Sequence, residues 1–172
     1  MEGLNDQLMA SVRQLVLDNL PYDRRDRNIV QTLSAMTPSD LLILWLNWTR
    51  RMLPATPRHV LQSKEFAANP IVQQHRPDID ALIEDIQSGA DLTKYLSRAV
   101  KHGYTHTDQI KPHRRQHLDL MLSAWGVHHL HFSQDVEPDN FVKRSGAIIF
   151  AVFRPDQAFL IDVMSHQDWA RE

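Results

Sequence analysis

Apolar residues recur at helical spacing at the start of the chain, with Leu4, Leu8, Val12, Leu15 and Val16 on one face until Pro21 closes the pattern. This predicts an amphipathic helix from Leu4 to Asn19, followed by a weaker one over residues 23–35. Thr37-Pro38-Ser39-Asp40 then combines an N-cap, a proline at the first helical position and an acid in the first turn. The helix it starts runs through Leu41, Leu42, Trp45, Trp48 and Met52, and its apolar residues cover most of the circumference. Such a helix is either buried centrally or turns Trp45 and Trp48 toward a partner or a second copy.

Thr56-Pro57 repeats the start signal and predicts a helix to Ala68; a further one spans Pro77 to Ser88 and stops at Gly89. Asp91 reads as the cap of a helix through Leu92, Tyr95, Leu96 and Val100, and His113 to Ala124 reads as the last helix before Gly126. From there the period changes. Val127 to Phe132 reads as a strand, and Ala147 to Phe153 and Ala158 to Met164 are β-rich runs joined by the turn Arg154-Pro155-Asp156-Gln157. The expected fold is α+β: N-terminal helices followed by a small antiparallel sheet of three or more strands. Residues 1–55 are read as a helical region and 56–172 as an α+β domain carrying the candidate site.

Composition narrows the function classes. A chain of 172 residues that is 42% hydrophobic can bury a real core. Its formal charge of -2 gives no global basic field, so any contact with a polyanion must be local. There is no cysteine, hence no disulfide framework and no thiolate metal site. The first eighteen residues lack the basic-then-apolar order of a signal peptide, and the longest apolar run, Leu41 to Leu46, is far too short for a membrane span. The expectation is a soluble cytoplasmic protein with no membrane partner.

The chemistry concentrates in Val127-His128-His129-Leu130-His131-Phe132. On a strand, His129 and His131 share one face while His128 joins Leu130 and Phe132 on the other. Two imidazoles then stand roughly 7 Å apart, two strand rises, and can converge on one phosphate or one metal ion. His128 reads as a core residue. Lys143 and Arg144 precede the next strand, and His166 follows the third.

Two chemistries fit. His129 and His131 can act as general base and acid on an RNA phosphodiester, with His166 completing or orienting the site and Lys143 and Arg144 neutralising phosphoryl charge; no cofactor is then needed. Alternatively, His129 and His131 bind one divalent metal with His166 or Asp162 as third ligand, as in a metal-dependent hydrolase. Asp162, the one charge in an apolar strand, is otherwise expected to face solvent or to fix the tautomer of a histidine. Lys101, Lys111, Arg114 and Arg115, interspersed with His102, His106, His113 and His117, form a local basic stretch that Arg98 can extend toward a nucleic-acid backbone. A third reading, from another class, is a helical interaction or adaptor protein docking through the Trp45 and Trp48 helix, with no catalysis.

Arg58-His59-Val60 with Ser63, Gly89-Ala90-Asp91-Leu92-Thr93, Tyr95-Leu96-Ser97-Arg98 and Trp125-Gly126-Val127-His128-His129-Leu130-His131 together resemble a bacterial family with a Trp-Gly-[Ile/Val]-His-His-x-His signature. The resemblance covers roughly the last two thirds of the chain and implies no firm activity. In layout alone, helices followed by a sheet bearing His, Lys and Arg are similar to the barnase, EndoU, colicin and RelE-like ribonucleases, many of them toxins or defence effectors. That likeness implies base and acid roles for His129 and His131 and a phosphate-binding role for Arg144. The chain departs from those toxins in being longer and slightly acidic, and in its N-terminal helices.

Overall fold

The computed structural model describes residues 2–104 and 119–165. It shows an α+β fold: N-terminal helices come first, and a four-stranded mixed sheet gathers segments from the middle and the end of the chain. The chain divides into two units, residues 1–51 with 98–119 and residues 52–97 with 120–172.

In the first unit, α1 (Glu2–Asn19), α2 (Arg27–Ala35) and α3 (Pro38–Thr49) bury Val16, Leu20, Ile29, Leu33, Leu41 and Leu44 together with Tyr104. The helix starts are fixed locally. The Asp26 side chain accepts from the backbone N–H groups of Asn28 and Ile29, and the Thr37 hydroxyl accepts from the N–H of Asp40 while donating to its carboxylate at 2.7 Å. Across longer range Arg13 donates to the carbonyls of Ser34 and Met36, Trp48 Nε1 donates to the Val100 carbonyl at 2.8 Å, and the N–H groups of Gly103 and Tyr104 both donate to the Pro21 carbonyl. Trp45 and Trp48 are half-buried against the core, so the outward apolar face of α3 belongs to Ile43 and Leu46 rather than to the tryptophans. Among the described residues no single helix is long and apolar enough to cross a membrane.

The second unit is built on the sheet, in the order β1 (His59–Gln62), β4 (Gln157–Ser165), β3 (Ala147–Phe153), β2 (Val127–Leu130). β2, β3 and β4 pair antiparallel; β1 runs parallel to β4, which the expected antiparallel sheet did not include. Helix α4 (Lys64–Ala68) and α5 (Pro70–Gln74) lie against β4, α6 (Arg76–Ser88) against β1, and α7 (Leu120–Trp125) against β2. One sheet face carries Leu130, Ile149 and Val163 in one row and Ala151 and Leu160 in the next, all buried.

Three expectations are corrected. The segment from Thr56 to Ala68 is not one helix: residues 59–62 find backbone partners in β4, and the helix starts only at Ser63, whose hydroxyl accepts from the Phe66 N–H at 2.8 Å. The stretch from Asp91 to Val100 is two 3-10 turns, Thr93–Tyr95 and Arg98–Lys101, because the Asp91 carboxylate accepts from both the N–H and the hydroxyl of Thr93 and closes a tight turn. The histidine strand ends at Leu130, two residues early. Gly89 does end α6, with φ at 76°; a Cβ there would lie 2.5 Å from the Pro57 nitrogen, so both conformation and space require glycine.

Candidate functional site

The strand stops at Leu130 because the next backbone N–H turns away from β3: His131 donates to the Tyr95 carbonyl at 2.7 Å. That bond carries His131 out of the ladder and into the interior, where it is only 5% exposed. His129 stays in register opposite Phe150 and is half-buried. The two rings stand at right angles with centroids 6.3 Å apart. His128, on the face of Leu130, is half-buried and sets its ring edge against Phe153 at 5.5 Å. The expectation that His129 and His131 share one strand face therefore needs correcting at His131, which has left the strand and is interior although it lies beside His129, and the expected core residue His128 is only half-buried.

Tyr95, the anchor of that turn, is itself pinned. Its hydroxyl donates to Asp85 on α6 at 2.7 Å, and Lys94 Nζ lies 2.8 Å from the same carboxylate oxygen. Burial pushes the Tyr95 phenol up, and the Asp85 hydrogen bond and charge push it further, so the hydroxyl stays a donor. Burial alone would raise Asp85, but hydrogen bonds from Lys94 and Tyr95 and the Lys94 charge outweigh it and hold the carboxyl below its ordinary value. On the other side of His131, Phe132 is fully buried and meets the His75 ring edge-on at 5.5 Å, and the His75 imidazole lies 3.6 Å from Asp78.

Register places the cations near the same end of the sheet. Leu130 lies opposite Ile149, and Ala147 opposite Ser165, so the segment before β3 enters the sheet beside the departures of β2 and β4. Lys143 is exposed and lies 3.7 Å from Asp135, a solvent-screened pair of small energetic consequence. Arg144 is half-buried, with one guanidinium nitrogen fully enclosed. Arg98 opens the second 3-10 turn and belongs to the first unit. His166 lies outside the described residues, as do Lys111, Arg114, Arg115, His106, His113 and His117.

Asp162 shares the His129 row, with Phe150 between them, yet its carboxylate serves the sheet edge rather than a histidine. It accepts from Asn69 Nδ2 at 2.7 Å and from the Val163 N–H at 2.7 Å, docking the α4–α5 junction on β4 where a bulge at Phe150/Ala151 shifts the register. Among the described residues no three of His, Cys, Asp or Glu stand close enough to hold a metal ion, so Asp162 does not complete a ligand set with His129 and His131.

Sequence reasoning left Arg58 without a role. It is buried, donates to the carbonyls of Arg154, Pro54 and Thr56 at 3.0 Å each, and lies over the Phe153 ring at 5.5 Å. Burial lowers its pKa, though not enough to discharge a guanidinium with three carbonyl acceptors. Arg58, Ser63, Gly89, Asp91 and Tyr95 each fix backbone around the histidine strand or the sheet that holds it. No protein-family model, curated protein or solved structure matches the chain.

Proposed function

We propose that the second unit is a metal-independent endoribonuclease whose reacting groups include His129 and His131. The observation that carries this reading is the perpendicular imidazole pair, 6.3 Å apart, on a strand end fixed by the Tyr95 carbonyl. One imidazole takes the proton from a ribose 2′-hydroxyl, the 2′-oxygen attacks phosphorus, and the bond to the 5′-oxygen breaks. A second imidazole protonates that leaving oxygen, and a 2′,3′-cyclic phosphate remains. Half-buried His129 is the group with reach to the 2′-hydroxyl, interior His131 is the second imidazole beside it, and Arg144 is the cation for the phosphoryl oxygens. His166 is the further candidate for acid or orienting group.

The test is cleavage of a labelled RNA by the full chain in EDTA, with the ends analysed. Cyclic or 3′-phosphate ends, a bell-shaped pH profile and loss of cleavage in His129→Ala support the reading. Cleavage that stops in chelator and returns with zinc or manganese assigns the histidines to metal binding instead. The adaptor reading rests on a separate observation, the outward Ile43 and Leu46 of α3, which are 59% and 47% exposed. It prevails if the chain leaves RNA intact under all these conditions and captures a partner through that face.

A further inference from the structure

The sheet face that carries His129 has an open end. Val127 lies opposite Val152, Val152 opposite Phe159, and Phe159 opposite Leu61, so four apolar side chains form one rib across all four strands. Phe159 and Leu61 are each 40% exposed, and Val127 and Val152 are half-buried. The next row on the same face is His129, Phe150 and Asp162, two residues further along β2 and therefore roughly 7 Å away. There the face is covered, since Phe150 and Ile148 are buried. An uncovered apolar rib thus runs directly beside the half-buried imidazole.

We infer that this rib is a stacking platform for the unpaired bases of single-stranded RNA, a proposal that rests on the ribonuclease reading and names its substrate class. The occupant has to be small and planar. Four side chains, two of them half-buried, fall far short of the roughly 800 Å² per partner of a stable protein interface. An aromatic ring flanked by flat aliphatic surface suits a base, which stacks whatever its identity. A base seated on Phe159 leaves its own backbone to continue along the strands toward the His129 row.

Polar groups that can meet a phosphate backbone flank the rib. His59, paired with Gln157 in the row beyond Phe159, is exposed on the same face. Arg154 is exposed in the tight turn between β3 and β4, and its guanidinium makes no hydrogen bond or ion pair among the described residues. Of the acids nearby, Asp162 is held by Asn69, while Asp156 is exposed in the same turn as Arg154, and its backbone carbonyl accepts from the His59 N–H at 2.8 Å. A duplex, whose bases are stacked on one another, has nothing to offer the rib.

The experiment measures fluorescence anisotropy of a fluorescein-labelled oligouridylate, and of a duplex of equal length, with the full chain carrying His129→Ala to prevent turnover. Phe159→Ala should weaken single-strand binding roughly 5- to 150-fold, the usual loss for one stacked base, and Phe159→Tyr should restore it. Phe159→Leu keeps apolar volume and removes the ring, so it decides the matter if the alanine variant fails to fold; a melting curve of each variant shows which holds its fold. Equal binding by Phe159→Leu and the parent, or tighter binding of the duplex, overturns the platform. So does self-association that Phe159→Leu abolishes, which would assign the rib to a second copy of the chain. Phe159-dependent binding without cleavage by the parent chain leaves the platform standing and removes the ribonuclease reading; cleavage indifferent to Phe159 does the reverse.

Discussion

The two units hold themselves together by different means. The helical unit joins apolar side chains from three helices with caps that reach two or three residues along the chain, and its longer polar ties include Arg13, Trp48 and the 103 and 104 N–H groups on the Pro21 carbonyl. The sheet unit also has an apolar face, but its ties include a buried guanidinium and a buried phenol: Arg58 to the 154 carbonyl and Tyr95 between Asp85 and His131, with half-buried Asn69 on the 163 carbonyl. An apolar core tolerates change of shape, whereas a satisfied buried donor fails when its geometry changes. The candidate site lies in the unit of the second kind, where positions are held most strictly.

Phe132→Ala should have the largest effect, because it empties a fully buried ring site next to His131; about 3–5 kcal/mol of stability should be lost in denaturant unfolding. A loss under 1 kcal/mol would show that the sheet unit is packed more loosely than its polar ties imply. Next comes Arg58→Lys, which keeps the charge and loses the fork that serves three carbonyls; it should cost about 2–3 kcal/mol. If lysine is neutral there, charge alone and not geometry holds the 54–58 segment to the hairpin.

Asp85 sharpens the comparison through pH. Its folded-state carboxyl is depressed, so its contribution is present above the unfolded value of ~3.9 and is lost as pH falls through the folded value. Asp85→Asn should therefore be less stable than the parent at neutral pH, and the two should converge in acid when their melting temperatures are compared. A gap that persists in acid would mean that shape rather than charge ties Tyr95. The smallest effect belongs to the helical unit: Ile43→Ser on the outer face of α3 should stay within about 0.5 kcal/mol of the parent in thermal unfolding. A larger loss that grows with protein concentration would reveal self-association through that face.

The same contrast explains what the sequence makes legible. Helix starts at Thr37 and the stop at Gly89 can be read because their determinants are a few residues apart. Ala147 to Phe153 is recognisable from its unbroken apolar run, and the adjoining turn from its proline and aspartate. β1 is not legible, since residues 59–62 become a strand only by pairing with β4, far away in the chain. The histidine strand shows both cases. Alternation correctly joins His128 to Leu130 and brings His129 beside His131, but the burial of His131 depends on a bond to Tyr95 that no local pattern encodes. Asp162 is conspicuous as a lone charge, while its partner Asn69 is not.

The parallel pairing of β1 with β4 also sets an order of events during synthesis. β1 leaves the ribosome before its hydrogen-bonding partner, which follows nearly a hundred residues later, as the Ser63 hydroxyl to Ile161 carbonyl bond shows with its separation of 98. Until then the strand, the Arg58 guanidinium and the edge of α6 have no sheet to join, and the loop-closure entropy of the intervening chain opposes the contact. The sheet unit can therefore close only after β4 has been made. A nascent chain stalled before Gln157 would carry its histidines without the surface that orders them.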